Sequence, residues 1–337
     1  MNKLIPHNRM LFDNFEEKEL IKVLRSGNWA GGSSLKNLED EFSSLTSMKY
    51  SIGVNSGSSA LRLALKAIGI KRGDKVAFPA YCCVAIPNAI LSCGAIPLPI
   101  DIEYISLNIS HNELEKHDSF SAIITINTFG YPSNINGLRN FNVPIIEDCS
   151  HGFYKNDMGK NADITILSLY ATKLITAGQG GMIITNNENY YNYLKDITNY
   201  VDKSSSAERT RETISAFNSV IGLCSLKRLS KNIKIRNDIA NLYNNSLKIN
   251  NTSAKRIWYR FVLAFKDNEK IINDFNKEGI VVVKPIDKWG IIKNKKANWA
   301  YDNLISIPLY PSLLNDEKIH IINKLSKSIN KYLINYE

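Results

Sequence analysis

Along this chain the spacing of apolar residues changes character near residue 186. Between about residues 50 and 185, short apolar runs alternate with helical patterns. Ser59-Ala-Leu-Arg-Leu-Ala-Leu-Lys-Ala-Ile68 combines helix formers with apolar positions on one face, which predicts a helix. Lys75-Val-Ala-Phe78 is a short strand stopped by Pro79, Val84 to Ser92 a helix, and Ala95 to Ile100 an extended run. Ala122 to Ile126, Val143 to Ile146, Ile164 to Leu167 and Gly181 to Thr185 read as strands covered on both faces. Strands and helices in that alternation predict a mostly parallel α/β sheet. Beyond it, residues 187–215 are polar and charged, with a serine-rich stretch at Lys203-Ser-Ser-Ser-Ala-Glu208. A long helical pattern then runs from Val220 to Leu247. Strands are expected at Trp258 to Phe265 and Ile280 to Val283, and helices at Glu269 to Glu278 and Asn315 to Tyr332. Two units follow: a large one over residues 1–230 and a smaller α+β one over 231–337, joined inside the long helix.

Composition narrows the picture only slightly. The 337 residues exceed one small core, and 44% hydrophobic with 22% charged residues is ordinary for a globular protein. No run approaches the roughly 20 apolar residues of a membrane span, and no export signal is expected from the stretch Met1 to Leu20, which lacks an apolar core and a small-residue cleavage site. Cys82, Cys83, Cys93, Cys149 and Cys224 lack metal-ligand spacing, so reduced thiols in a cytoplasmic protein with no metal are expected. The net charge of +10 is spread along the chain among many Asn and Ile residues. Without a nucleic-acid motif it reads as compositional drift, the alternative being a general attraction for anions.

Four features sit at the ends of expected strands, where open α/β sheets bind ligands. In Asn55-Ser-Gly-Ser-Ser-Ala60, Gly57 permits a tight turn, and the Ser58 and Ser59 amides at a helix N-terminus suit a phosphate; the same pattern also fits a plain serine cap. Glu147-Asp148 ends a buried strand, where a carboxylate needs a cationic partner; an Mg²⁺ ligand or a helix cap remains open. His151 follows three residues later. In Ser168-Leu-Tyr-Ala-Thr-Lys173 a lysine just past a strand is placed to act as an amine nucleophile, although most lysines are solvated. Gly178-Gln-Gly-Gly181 lets the chain pass close to a ligand or another subunit and is not a dinucleotide fingerprint.

In this order the blocks resemble the DegT/DnrJ-type nucleotide-sugar aminotransferases, which are fold-type I enzymes dependent on pyridoxal 5′-phosphate (PLP). The resemblance covers nearly the whole chain. Ser26 to Gly31, Leu38 to Phe42, Asn55 to Leu61, Gly73 to Val76, Pro79 to Tyr81 and Gly94-Ala95 are similar to family blocks. So are Asp101, Phe129-Gly130, Glu147 to His151, Ser168 to Gly181 and Ser306 to Pro311. The resemblance implies that Lys173 holds PLP as a Schiff base and moves protons, and that Asp148 holds the pyridinium nitrogen. Gly57, Ser58, Ser59 and Ser168 would bind the phosphate, with His151 beside the ring. It further implies a homodimer with a shared active site, acting on a nucleotide-linked keto sugar. L-Glutamate would be the amino donor, and the product would enter surface polysaccharide or glycoconjugate synthesis. A dehydratase, amination of a non-nucleotide carbonyl, and a non-catalytic PLP-binding regulator are the alternatives. Related dehydratases carry histidine in place of the lysine, so Lys173 favours amino transfer. Four departures stand out: Val283-Lys-Pro285 lacks the usual aromatic or histidine pattern, Cys83 occupies the place of an aromatic that stacks on the pyridine, Gln179 replaces a glutamate, and the partner-derived asparagine has no match. Arg211 is the candidate for that last duty.

Overall fold

The computed structural model describes residues 4–153, 158–200, 209–249, 256–290 and 293–334, so the serine-rich stretch lies outside the described residues. In chain order the elements are α1 (Asn14–Ser26), α2 (Ser33–Thr46), β1 (Tyr50–Val54), α3 (Gly57–Ala67), β2 (Lys75–Pro79), α4 (Ala85–Ser92), β3 (Ile96–Ile100), α5 (His111–Leu114), β4 (Ala122–Ile126), α6 (Ile135–Leu138), β5 (Ile145–Asp148), β6 (Ile164–Ser168), β7 (Gly181–Thr185), α7 (Glu188–Thr198), α8 (Ala216–Leu247), β8 (Phe261–Ala264), α9 (Asn268–Lys277), α10 (Lys295–Asn303), β9 (Leu304–Ile307) and α11 (Asn315–Tyr332).

Seven strands form one sheet in the order β1-β7-β6-β5-β4-β2-β3. β3, β2, β4, β5 and β6 pair in parallel, whereas β7 runs antiparallel to both β6 and β1. The expected mostly parallel α/β sheet is therefore present, with one reversed strand. β4 and β7 are buried at every position, which is why they read as continuous apolar runs. One face packs on α3, α4 and α7 through Leu61, Leu65, Ile86, Ile90, Leu194 and Ile197. The opposite side carries Leu38 and Phe42 of α2 with Leu226, Leu229 and Ile233 of α8.

β8 and β9 form a separate antiparallel pair whose core includes Ile239 and Tyr243 of α8, Phe275 of α9 and Ile321 and Leu325 of α11. α8 thus buries its first half with the sheet and its second half with the β8–β9 unit. Ile5 also enters that second core, pairing with Ile280, so the chain start packs on the C-terminal unit.

Several elements differ from the sequence reading: α1, α2, β1, α10 and β9 are not among the expected elements, and three further differences concern stretches that the reading covers. Ile280 to Val283 is no continuous strand: it makes single bridges at Ile280 and Val283, with Gly279 at φ 75° before it and Pro285 soon after. The stretch read only as polar contains helix α7, whose inward face is Tyr190, Leu194 and Ile197; composition hid the periodicity because tyrosine supplies much of it. β8 is four residues long, leaving Trp258, Tyr259 and Arg260 ahead of the strand.

Candidate active site

The main cavity, about 870 Å³, opens beyond the C-terminal ends of the parallel strands. Gly57, Ser58, Cys83, Asp148, His151, Ser168 and Lys173 all line it. Residues more than 100 positions apart are brought together because β5 and β6 are neighbours and β7 returns the chain beside β1.

β1 runs into α3 through Asn55 and Ser56. Ser56 is the N-cap, its hydroxyl accepting from the Ser59 amide at 3.1 Å. The Ser59 amide is therefore already used, and the Ser59 side chain is buried against Asn55 Oδ1 (2.7 Å) and Glu212 Oε1 (3.1 Å) rather than lining the cavity. The amides left at the cavity are those of the first turn, Gly57 and Ser58, which carry the positive end of the helix dipole. Gly57 is required by closeness: an added Cβ would stand 2.7 Å from Ser168 Cβ.

Strand alternation separates the two acids of β5. Asp148 faces the cavity. Glu147 does not; it accepts from Asn127 Nδ2 (2.8 Å) and the Gly159 amide (3.0 Å). Burial pushes both carboxyls up; at Asp148 this is opposed by the Ser150 hydrogen bonds and the charge of Lys173. Asp148 accepts from the Ser150 amide at 2.9 Å and has no salt-bridge partner among the described residues.

The His151 ring lies between Phe129 (centroids 5.6 Å apart, 15° between planes) and Tyr259 (4.6 Å, 18°). Its Nδ1 is buried without a hydrogen-bond partner. Burial, with the charges of Lys173 and Arg260, holds the imidazole well below its usual range, so it is neutral. Lys173 Nζ is 5.5 Å from the centroid of Tyr259. The Tyr259 phenol is raised by burial, but Lys173 and Arg260 outweigh this and bring it down to about 8. Cys83 is exposed at the cavity, while Cys82 beside it is buried with its thiol pushed up by burial. Arg211 does not line this cavity; its guanidinium lies 5.9 Å from the Tyr200 ring centroid.

Several lining residues had no strong mark in the sequence. Asn55, Ser56, Tyr81 and Thr172 lie inside the blocks read from the sequence without a role of their own there, but Tyr259, Arg260 and the Pro285–Gly290 segment come from the C-terminal unit. The usable signal was a charged residue, Arg260, inside the otherwise apolar run 258–265.

A family model of the DegT/DnrJ/EryC1/StrS aminotransferases matches residues 11–326. The chain belongs to that family. GDP-perosamine synthase of Vibrio cholerae is 29% identical over 72% of this chain and 71% of that protein. The 3-oxo-glucose-6-phosphate:glutamate aminotransferase of Bacillus subtilis is 25% identical over 95% and 82%. The solved structure of NtdA from Bacillus subtilis with bound cofactor PMP superposes with a TM-score of 0.88 at 24% identity, over 98% and 86% of the two chains. The protein is thus a fold-type I, PLP-dependent aminotransferase.

The cavity suits the cofactor. Asp148 is a buried carboxylate with no ion-pair partner among the described residues, the Gly57 and Ser58 amides lie at a helix start, and Lys173 stands on the same cavity. When bound, PLP supplies an electron-withdrawing ring that stabilises charge at the substrate carbon. Asp148 can hold a protonated ring nitrogen, His151 can offer or accept a hydrogen bond without adding charge, and Lys173 Nζ can move a proton at the reacting carbon. Among the described residues no group of His, Cys, Asp and Glu could hold a metal ion.

Proposed function

We propose that this enzyme transfers the amino group of L-glutamate to a keto sugar linked to a nucleotide, with Lys173 as the cofactor-bearing and proton-moving residue. The observation that carries the reading is the convergence of Lys173, Asp148 and the Gly57–Ser58 turn on one cavity from three separate strand ends. Gly57, Ser58 and Ser168 form the phosphate cradle, which Ser59 supports from behind through Asn55. Asp148 takes the ring nitrogen, His151 the ring hydroxyl, and Cys83 lies where an aromatic would stack. The names of two relatives, a GDP-perosamine synthase and a sugar-phosphate:glutamate aminotransferase, support a sugar acceptor and glutamate as donor. The enzyme works as a homodimer in the cytoplasm, with Arg211 serving the partner's phosphate site, and its product enters surface polysaccharide or glycoconjugate synthesis. The unit boundary lies near residue 230 within α8.

Borohydride reduction of the yellow holoenzyme followed by peptide mapping tests the centre of this reading. The pyridoxyl group is expected on Lys173, and Lys173→Ala is expected to lose the visible band of the covalently held cofactor. Glutamate alone bleaches that band and releases one 2-oxoglutarate per site; a protein that stays yellow with glutamate is a binder and not a transferase. An adduct on another lysine overturns the assignment.

A further inference from the structure

Arg260 stands directly before β8, and the chemistry described so far gives it no task. Its guanidinium borders the main cavity and also a small one of about 40 Å³ lined by His7, Thr172, Arg236 and Tyr259. The guanidinium hydrogen-bonds the Tyr259 phenol, but its Nη1 is buried without a hydrogen-bond partner, and no carboxylate pairs with it among the described residues. The neighbouring arginines are occupied: Arg236 donates to the Tyr259 carbonyl at 3.0 Å and to the Leu309 carbonyl, and Arg256 donates to the Phe129 and Arg260 carbonyls. The charge of Arg260 acts on the cavity wall, lowering His7 and His151 after burial and contributing to the lowered Tyr259 phenol. An incompletely paired guanidinium among Lys173 and Arg236 is unfavourable until an anion arrives. Its planar fork matches a carboxylate in two parallel hydrogen bonds.

We propose that Arg260 anchors a carboxylate of the amino-acid donor, setting the donor's amino group toward Lys173. This rests on the aminotransferase reading above. The position favours the donor over the nucleotide. Lys173 Nζ and Arg260 Cζ are both neighbours of the Tyr259 ring, at 5.5 and 5.4 Å from its centroid. An α-amino acid carries amine and carboxylate on one carbon, so its anchor must lie near the reacting amine. The phosphates of a nucleotide sugar lie many bonds from the reacting carbon, and the cofactor phosphate is provided for at the start of α3.

The test compares wild-type, Arg260→Lys and Arg260→Gln holoenzymes in the donor half-reaction without any sugar, and in fluorescence titrations with glutarate, which has no amine to react. With Arg260→Gln the half-saturating glutamate concentration and the glutarate dissociation constant are expected to rise tenfold or more, as for loss of a charge-assisted hydrogen-bond pair. Arg260→Lys keeps the charge without the fork and falls between. PLP content and melting temperature stay at the wild-type level in at least Arg260→Lys. Unchanged glutarate and glutamate affinity in the variants overturns the proposal, and if Arg260→Gln cannot hold PLP, Arg260→Lys decides alone. Glucuronate serves as the probe for an acidic sugar: a loss confined to it assigns the carboxylate to the acceptor and overturns the donor assignment. A wild-type enzyme that reacts with none of glutamate, glutamine or aspartate overturns the aminotransferase reading itself, and the inference with it.

Discussion

Burial, more than sequence neighbourhood, sets the charge of the side chains around the two cavities that Arg260 borders. His7 shows the effect most simply. Its Nε2 hydrogen-bonds Ser306 Oγ at 2.9 Å, and burial, followed by the charges of Arg260 and Arg236, lowers its pKa from 6.5 to about 3. A histidine whose folded pKa is depressed takes up its proton first in the unfolded chain. Stability from this group is therefore complete above about pH 6.5 and declines as pH falls toward 3, by at most about 1.4 kcal/mol per pH unit. In denaturant titrations at pH 7 and pH 5, His7→Gln is expected to lose less stability on acidification than the wild type. Parallel losses in the two proteins would show that His7 is not the group responsible. At this scale the sequence was informative where a residue type is rare in its position: Lys173 and Asp148 at strand ends stood out. Arg260 did not, because its significance is a missing partner, and partners exist only in the folded molecule.

The elements around the phosphate turn touch through backbone. α3 begins against the end of β6, and β7 begins against the residue that caps α3. A Cβ on Gly57 would lie 2.7 Å from Ser168 Cβ, and one on Gly181 would lie 2.4 Å from the Ser56 carbonyl oxygen. The first clash is with a serine Cβ beside the cavity; the second is closer and is with main-chain atoms alone. Overpacking of this kind costs about 1–3 kcal/mol. Gly181→Ala is expected to lower both melting temperature and PLP affinity, Gly57→Ala chiefly PLP affinity, as read by thermal denaturation and equilibrium dialysis. Equal PLP affinity in both variants and the wild type would remove the turn from the cofactor site. The glycine strip was visible in the sequence, but its contact was not: β7 meets β1 through antiparallel pairing across more than 120 residues. The parallel strands were legible because both faces are covered, whereas β1, with Tyr50 and Gly53 breaking the apolar run, was not picked out.

On the scale of the molecule, the exposed apolar residues are unevenly placed. Met10, Leu11 and Phe12 are exposed, with Phe12 65% accessible, and they line a groove of about 270 Å³ together with Lys173 and Gly178. Leu24 and Trp29 add exposed apolar surface from the same N-terminal region. An apolar surface reaching to Lys173 is where the proposed second subunit would bury area and close the site. Arg211, off its own cavity, gives this a kinetic form. In an isologous dimer with crossed contributions, Lys173→Ala removes a site's own lysine, while Arg211→Ala removes the phosphate ligand of the other site. Each variant alone is expected to be nearly inactive. After unfolding and refolding an equal mixture, half of the dimers are heterodimers, and each holds one site with both groups intact. The mixture should therefore regain about a quarter of wild-type activity. If Arg211 served its own site, every site in the mixture would lack one group and no activity would return. If Arg211→Ala alone were fully active, the residue would have no place in the phosphate site. Sedimentation of Phe12→Asp provides the companion measurement: a monomer lacking activity supports the shared site, and a fully active monomer rejects it.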